Sequence, residues 1–223
     1  MQKRQKLMTN RKEGISSEIL VNGNKLEEVK YFKYLGATIS EEGSKKEVVC
    51  RIAQAIAALT KLSTVWKDKN ISLSTKIRLM RSLVTSIFLY ACESWTLNKD
   101  IERRIQAFEM RCYRRLLGIS YKDRVTNVEV EDRIRRAAGP YEELLRTVKK
   151  RKLKWFGHVT RSRGLANTIL QGTVPGKRGQ GRPRRQWGDN IKEWTGLKFE
   201  QLKRRASNRK EWRKLAHVSS AVP

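Results

Sequence analysis

Ser44-Lys45-Lys46-Glu47-Val48-Val49-Cys50-Arg51-Ile52-Ala53-Gln54-Ala55-Ile56-Ala57-Ala58-Leu59-Thr60-Lys61-Leu62 is the stretch that decides the fold class. Val48, Ile52, Ile56, Leu59, Leu62 and then Trp66 recur at three- and four-residue steps, which puts them on one face of a helix running to about Lys67. Ser44 and Glu47 stand at capping-box spacing, where hydroxyl and carboxylate can each satisfy an exposed N–H at the helix start. A second helix is expected from Ser72 or Ser74, lined by Ile77, Met80, Val84, Ile87, Ala91 and Trp95, with Leu83 and Phe88 widening the stripe. A third should begin after Asn98 on the seam Ile101, Ile105, Phe108, Cys112 and Leu116, with Gly118 suited to a C-terminal cap. The loops between them are short, so residues 44–118 predict an antiparallel three-helix bundle.

Outward from that unit, residues 17–43 read as a small β element. Glu18-Ile19-Leu20-Val21 runs into Asn22-Gly23, a strong hairpin signal, and Leu26–Val29 returns. Tyr31–Ile39 is rich in aromatic and β-branched residues. Too few strands are present to stand alone, so this piece should pack on a helix or on a further sheet. Residues 1–16 are basic and expected to be disordered. Residues 119–223 are helical but more polar. Thr126 and Glu129 suggest a cap for a short helix to about Ala138, and Gly139-Pro140 breaks it, with Pro140 in the first turn of the next. That next helix carries Leu144, Leu145, Val148, Trp155, Phe156 and Val159. The segment 172–182 is Gly-rich and basic, a flexible loop by composition. A helix from Pro183 should present Trp187, Ile191 and Trp194 and stop at Gly196, and a last one from Ser207 should present Trp212 and Leu215. The fold class is mainly α.

The 223 residues carry a formal net charge of +28. Residues 1–100 hold 18 Lys+Arg against 10 Asp+Glu, and residues 101–223 hold 32 against 12, so the surplus is concentrated in the second half. Such an excess repels itself unless a polyanion offsets it. Arg-rich clusters interleaved with Trp point to nucleic acid, RNA or DNA, as that polyanion. No stretch is apolar over a membrane-spanning length, and Met1–Lys12 lacks the apolar core of a signal peptide, so an intracellular location without membrane partners is expected. Cys50, Cys92 and Cys112 are odd in number and widely spaced, which argues against a disulfide framework, and His158 and His217 do not complete a zinc-ligand set with them. No metal site is expected, and Cys112 fits an apolar seam.

Four motifs occur in order: Phe32-Lys33-Tyr34-Leu35-Gly36, Tyr90-Ala91-Cys92-Glu93-Ser94-Trp95-Thr96-Leu97, Arg151-Lys152-Leu153-Lys154-Trp155-Phe156-Gly157-His158-Val159 and Gly179-Gln180-Gly181-Arg182-Pro183-Arg184-Arg185-Gln186-Trp187. This series resembles the C-terminal part of the reverse transcriptase of LINE-type, non-LTR retrotransposons, from roughly Ser17 to Trp212. The resemblance implies that 17–43 closes the palm, that 44–118 is a thumb-like bundle and that 119–223 is a basic nucleic-acid-binding region. It also implies a primer-grip-like role for Phe32, Tyr34, Leu35 and Gly36. A plain hydrophobic strand with Gly at a bulge explains the same residues.

A polymerase needs adjacent carboxylates to hold two divalent metal ions. The family's aromatic-Ala-Asp-Asp turn has no match here. Tyr90-Ala91-Cys92-Glu93 echoes it only superficially, because Cys92 stands where a carboxylate is required. No catalytic residue is assigned, no cofactor is expected in this segment, and Mg²⁺ is expected only with an upstream palm. Arg103, Arg104, Arg111, Arg114 and Arg115 flank the third seam, as duplex contacts or as a solvated face. Arg151, Lys152 and Lys154, followed by Arg161 and Arg163, form the strongest phosphate-binding signal. Trp155 and Phe156 beside them suit either core anchoring or base stacking. Lys177, Arg178, Arg182, Arg184 and Arg185 resemble an AT-hook around Gly181-Arg182-Pro183, with Gln180 where an Arg is usual; a basic linker is the other reading.

The function expected is a nucleic-acid-binding C-terminal fragment of such a polymerase, without the catalytic carboxylates, holding template–primer, element RNA or target DNA. Its partners would be RNA, DNA and the upstream palm and fingers, in a nuclear or ribonucleoprotein-associated setting. The alternative is a host-retained, chromatin-binding or interaction protein derived from such an element.

Overall fold

A computed structural model describes residues 6–8, 19–21, 23–41, 43–172 and 185–220. The chain is mainly α, with short strands at its N-terminal end. Among the described residues six strands form three two-stranded ladders: β1 (Lys6–Leu7) runs parallel to β4 (Glu27–Glu28), β2 (Leu20–Val21) antiparallel to β3 (Asn24–Lys25), and β5 (Tyr31–Tyr34) antiparallel to β6 (Ala37–Ser40). Two expectations shift here. The returning strand of the first hairpin begins at Asn24, not at Leu26. Part of the segment expected to be disordered is a strand, because Lys6 pairs with Glu27 at 3.6 Å and Val29 N–H donates to the Leu7 carbonyl. The rest of 1–16 lies outside the described residues. In the β5–β6 hairpin Leu35 and Gly36 both have positive φ, 46° and 82°, the two-residue turn whose twist matches its strands.

The helices follow: α1 (Lys45–Lys61), α2 (Ser63–Lys67), α3 (Leu73–Leu79), a π-helical turn (Met80–Val84), α4 (Thr85–Phe88), α5 (Lys99–Leu117), α6 (Asn127–Ala138), α7 (Leu144–Arg161), α8 (Leu165–Gln171), α9 (Trp187–Thr195), α10 (Phe199–Ser207) and α11 (Arg209–Ser219). Local signals set several ends where the sequence places them. Asn98 accepts from Ile101 N–H at 2.9 Å, Gly118 closes α5 at φ 67°, and Thr126 and Glu129 form a reciprocal capping box on α6. α10 has no counterpart in the sequence reading, although Phe199, Leu202 and Ala206 share one face. Asn208, not Ser207, caps α11.

Three expectations fail because long-range contacts outbid local ones. Ser44 does not cap α1; its Oγ accepts from Thr96 N–H at 2.8 Å, while the Glu47 carboxylate accepts from Thr38 N–H and Arg51 Nε, both at 2.6 Å. The second helix ends at Phe88, not at Trp95. Seven helical residues would separate Phe88 and Trp95 by about 10 Å along the axis, whereas a turn through Ala91 at φ 56° brings their rings to 5.3 Å, edge to face. α7 begins at Leu144, not at Pro140, because the buried Glu109 of α5 accepts from Leu144 N–H at 3.0 Å and caps it across the core.

α7 is the central pillar, with α5, α8, α10, α11 and the turn at 92–94 packed on it. Buried side chains from Val48 to Ala216 form one continuous cluster, to which 44–118 and 119–223 both contribute.

Burial pushes the Glu109 carboxyl up to about 7, against the pull of the Leu144 N–H. An acid raised in the folded state contributes stability that is full below its unfolded value and is lost as pH rises through the folded one. Wild-type stability from this group is therefore expected to fall between about pH 4.5 and 7, and Glu109→Gln, which keeps an acceptor for Leu144, should remove that slope in paired thermal melts.

Candidate nucleic-acid interface

The cations of α7 divide between two faces. Lys149 and Lys152 fall in register with Leu145, Val148, Leu153, Phe156 and Val159 and point into the core, 2% and 0% exposed. Lys152 was expected to bind phosphate; it cannot, because it has no surface. The signal lay in its spacing, four before Phe156 and four after Val148. Lys150 pairs with Glu142 at 3.0 Å, so the run is also less free of acids than its sequence suggests.

What Lys152 does is close a buried turn. The irregular 89–97 segment offers carbonyls with no helical partner, and buried backbone groups must find one. Arg151 donates to Leu89 O at 3.2 Å, Trp187 Nε1 to Glu93 O at 2.8 Å and Lys152 Nζ to Trp95 O at 2.7 Å. Asn190 donates to Leu97 O at 2.8 Å, while its own Oδ1 accepts from both Leu97 N–H and Lys152 at 2.8 Å. Lys152 also lies 4.7 Å from the Trp187 ring centroid and 5.6 Å from that of Trp194. Burial, with Arg185 adding repulsion, pushes its ammonium down to about 6. Three of the four sequence motifs thus converge on one polar knot, and their first role is to hold the fold together.

A second knot docks the hairpin tip. Tyr90 OH donates to Leu35 O and Arg51 donates to Gly36 O, while the Arg51 guanidinium lies 4.4 Å from the Tyr90 ring centroid. The grip-like residues therefore sit at a fixed corner: Phe32 half-buried, Tyr34 and Leu35 exposed, and Gly36 against Tyr90.

The opposite face of α7 is open. Arg151, Lys154, Trp155, His158 and Arg161 are exposed at helical spacing, and Arg163 follows just past the helix end. Among the described residues none of these cations is in an ion pair. Arg161 donates to Ala206 O at 2.6 Å and has Arg209 nearby, so the basic face continues onto the start of α11. Trp155 and Phe156 part company: Phe156 is fully buried, whereas Trp155 is 38% exposed. Arg185 is paired with Glu193. Lys177, Arg178, Arg182 and Arg184, and with them nearly all of the expected 172–182 loop, lie outside the described residues. On α5, Arg103, Arg104, Arg111 and Arg115 are exposed, but Arg104 pairs with Asp100 and Arg114 is tied to Val125 O and Asn127.

Burial pushes the thiols of Cys92 and Cys112 up to about 12, which removes them as nucleophiles at neutral pH. Among the described residues no cluster of three or more His, Cys, Asp or Glu is arranged to hold a metal ion, and no helix is long and apolar enough to cross a membrane.

No family model and no solved structure matches the chain. A transposon-derived protein of Caenorhabditis elegans is 30% identical over 197 residues, covering 84% of this chain and 70% of that protein.

Proposed function

This chain belongs to a family of transposon-derived proteins, and we propose that it serves as the nucleic-acid-holding C-terminal part of a LINE-type reverse transcriptase. The observation that carries the reading is the open face of α7, where Arg151, Lys154, Arg161 and Arg163 stand without acidic partners around an exposed Trp155. Such a face binds phosphate backbones through charge and counterion release, whatever the sequence. The chain alone extends no primer, since its motifs hold and the paired carboxylates that would bind Mg²⁺ belong to an upstream palm. Nucleic acid, RNA or DNA, is the partner, in a nuclear or ribonucleoprotein setting.

Lys154 and Arg163 make no described contact that the fold needs, so Lys154→Gln with Arg163→Gln tests the charge alone. The double variant is expected to melt like wild type and to bind every sequence more weakly. Its dependence of log affinity on log salt should be shallower by about two. Titration of labelled oligonucleotides across a salt series checks this. An unchanged slope removes the α7 face from the interface.

A further inference from the structure

We propose that Trp155 is a stacking platform for a base of single-stranded nucleic acid, which deepens the nucleic-acid reading above and rests on it. Trp155 is 38% exposed, which leaves on the order of 100 Å² of the residue in solvent. A core anchor would bury that area, as Phe156 next to it does.

The ring has a fixed neighbour. Trp187 meets it nearly edge-on, with centroids 5.2 Å apart and planes at 77°. Trp187 is itself fixed by its Nε1 hydrogen bond to Glu93 O and by Phe156, stacked at 6.3 Å. The platform is therefore ordered before anything binds, so little side-chain entropy is lost on stacking.

Its surroundings supply the rest. Arg151 and Lys154 lie on the same open face, with His158 one turn on and Arg161 beyond it. An exposed aromatic ring flanked by cations without acidic partners is complementary to a base with a phosphate on either side. Duplex bases are already stacked on one another and cannot reach a single protruding indole, so the occupant is a single strand.

The test uses the full chain with an oligothymidylate and an oligouridylate of roughly 12 nucleotides and a mixed-sequence duplex. Trp155→Leu keeps apolar cover over Trp187 but has no π-face; Trp155→Phe keeps a ring. Trp155→Leu is expected to weaken single-strand affinity about tenfold, to leave duplex affinity within about twofold and to be largely rescued by Trp155→Phe. Equal losses on single strand and duplex, or an intact single-strand affinity, overturn the proposal. Should Trp155→Leu fail to fold, tryptophan fluorescence decides: saturating oligothymidylate should quench a component in wild type that Trp155→Phe lacks, and equal quenching in both overturns the proposal. Wild type binding neither strand nor duplex in a salt-dependent way would defeat the broader reading, a result distinct from salt-dependent binding that ignores Trp155.

Discussion

Gly157→Ala is expected to destabilise the protein by about 3 kcal/mol, although alanine in a helix interior ordinarily gains about 1 kcal/mol over glycine. The sign reverses because of where α11 crosses α7. A Cβ at 157 would lie 2.2 Å from both Cδ1 and Nε1 of Trp212, far inside van der Waals contact. Trp212 cannot swing away, since it is 3% exposed, packs on Phe156 at 5.3 Å and donates from Nε1 to Leu153 O at 2.8 Å. Trp212→Ala alone should cost about 4 kcal/mol through the cavity and the lost hydrogen bond. The two changes together should cost no more than Trp212→Ala alone, because the clash has lost its partner. Urea unfolding of the two single variants and the double variant checks this. Additive costs would show that Gly157 is constrained by something other than the indole.

That contact also marks how far the sequence could be read. Gly157 sits inside a strong helical pattern, and nothing in its neighbours announces a tryptophan 55 positions later. Where a signal is local, the sequence reports it faithfully: the Asn98 and Gly118 ends of α5 and the Thr126–Glu129 cap of α6 involve residues within one turn of each other. Where two segments compete, the distant partner wins unseen. Ser44 and Glu47 have the chemistry of a capping box but are drawn away by Thr96, Thr38 and Arg51. The apolar stripe through Ala91 and Trp95 is real, yet it is folded over by ring packing and by carbonyl acceptors that side chains of α7 and α9 fill.

The candidate interface is legible in part for the same reason. Charge alone could not tell Lys152 from Lys154, two residues apart; only position on the helix separates a buried cation from a free one. The aromatic pair Trp155-Phe156 divides likewise, one ring outward and one inward. Most of the AT-hook-like segment falls outside the described residues.

Asn190→Leu is expected to cost about 4 kcal/mol, a large share of the roughly 5–15 kcal/mol that holds a domain together. Leucine has the same branching and is no smaller, so the loss comes from hydrogen bonds, with some overpacking, rather than from a cavity. It would orphan Leu97 N–H and Leu97 C=O and take one of two described acceptors from Lys152, all in a fully buried site. Lys152→Met should cost less, because it removes the buried amine together with its need for partners and orphans only Trp95 O. In the Asn190→Leu background it should recover part of the loss, which a double-mutant cycle measures.

The same lysine sets a pH dependence. A base held at about 6 when folded and near 10.5 when unfolded binds more protons unfolded between those values, so stability rises with pH across that window by at most about 1.4 kcal/mol per unit. Glu109 acts in the opposite sense up to about 7, and Cys92 and Cys112, raised from 9.0 to about 12, remove stability once pH passes their unfolded value. The contribution of Lys152 is therefore isolated as the difference between wild type and Lys152→Met from about pH 6 to 8.5. That difference should shift steadily in favour of wild type as pH rises. A difference that stays flat would mean Lys152 keeps its proton throughout, with its hydrogen bonds and the Trp187 and Trp194 rings sustaining a buried charge.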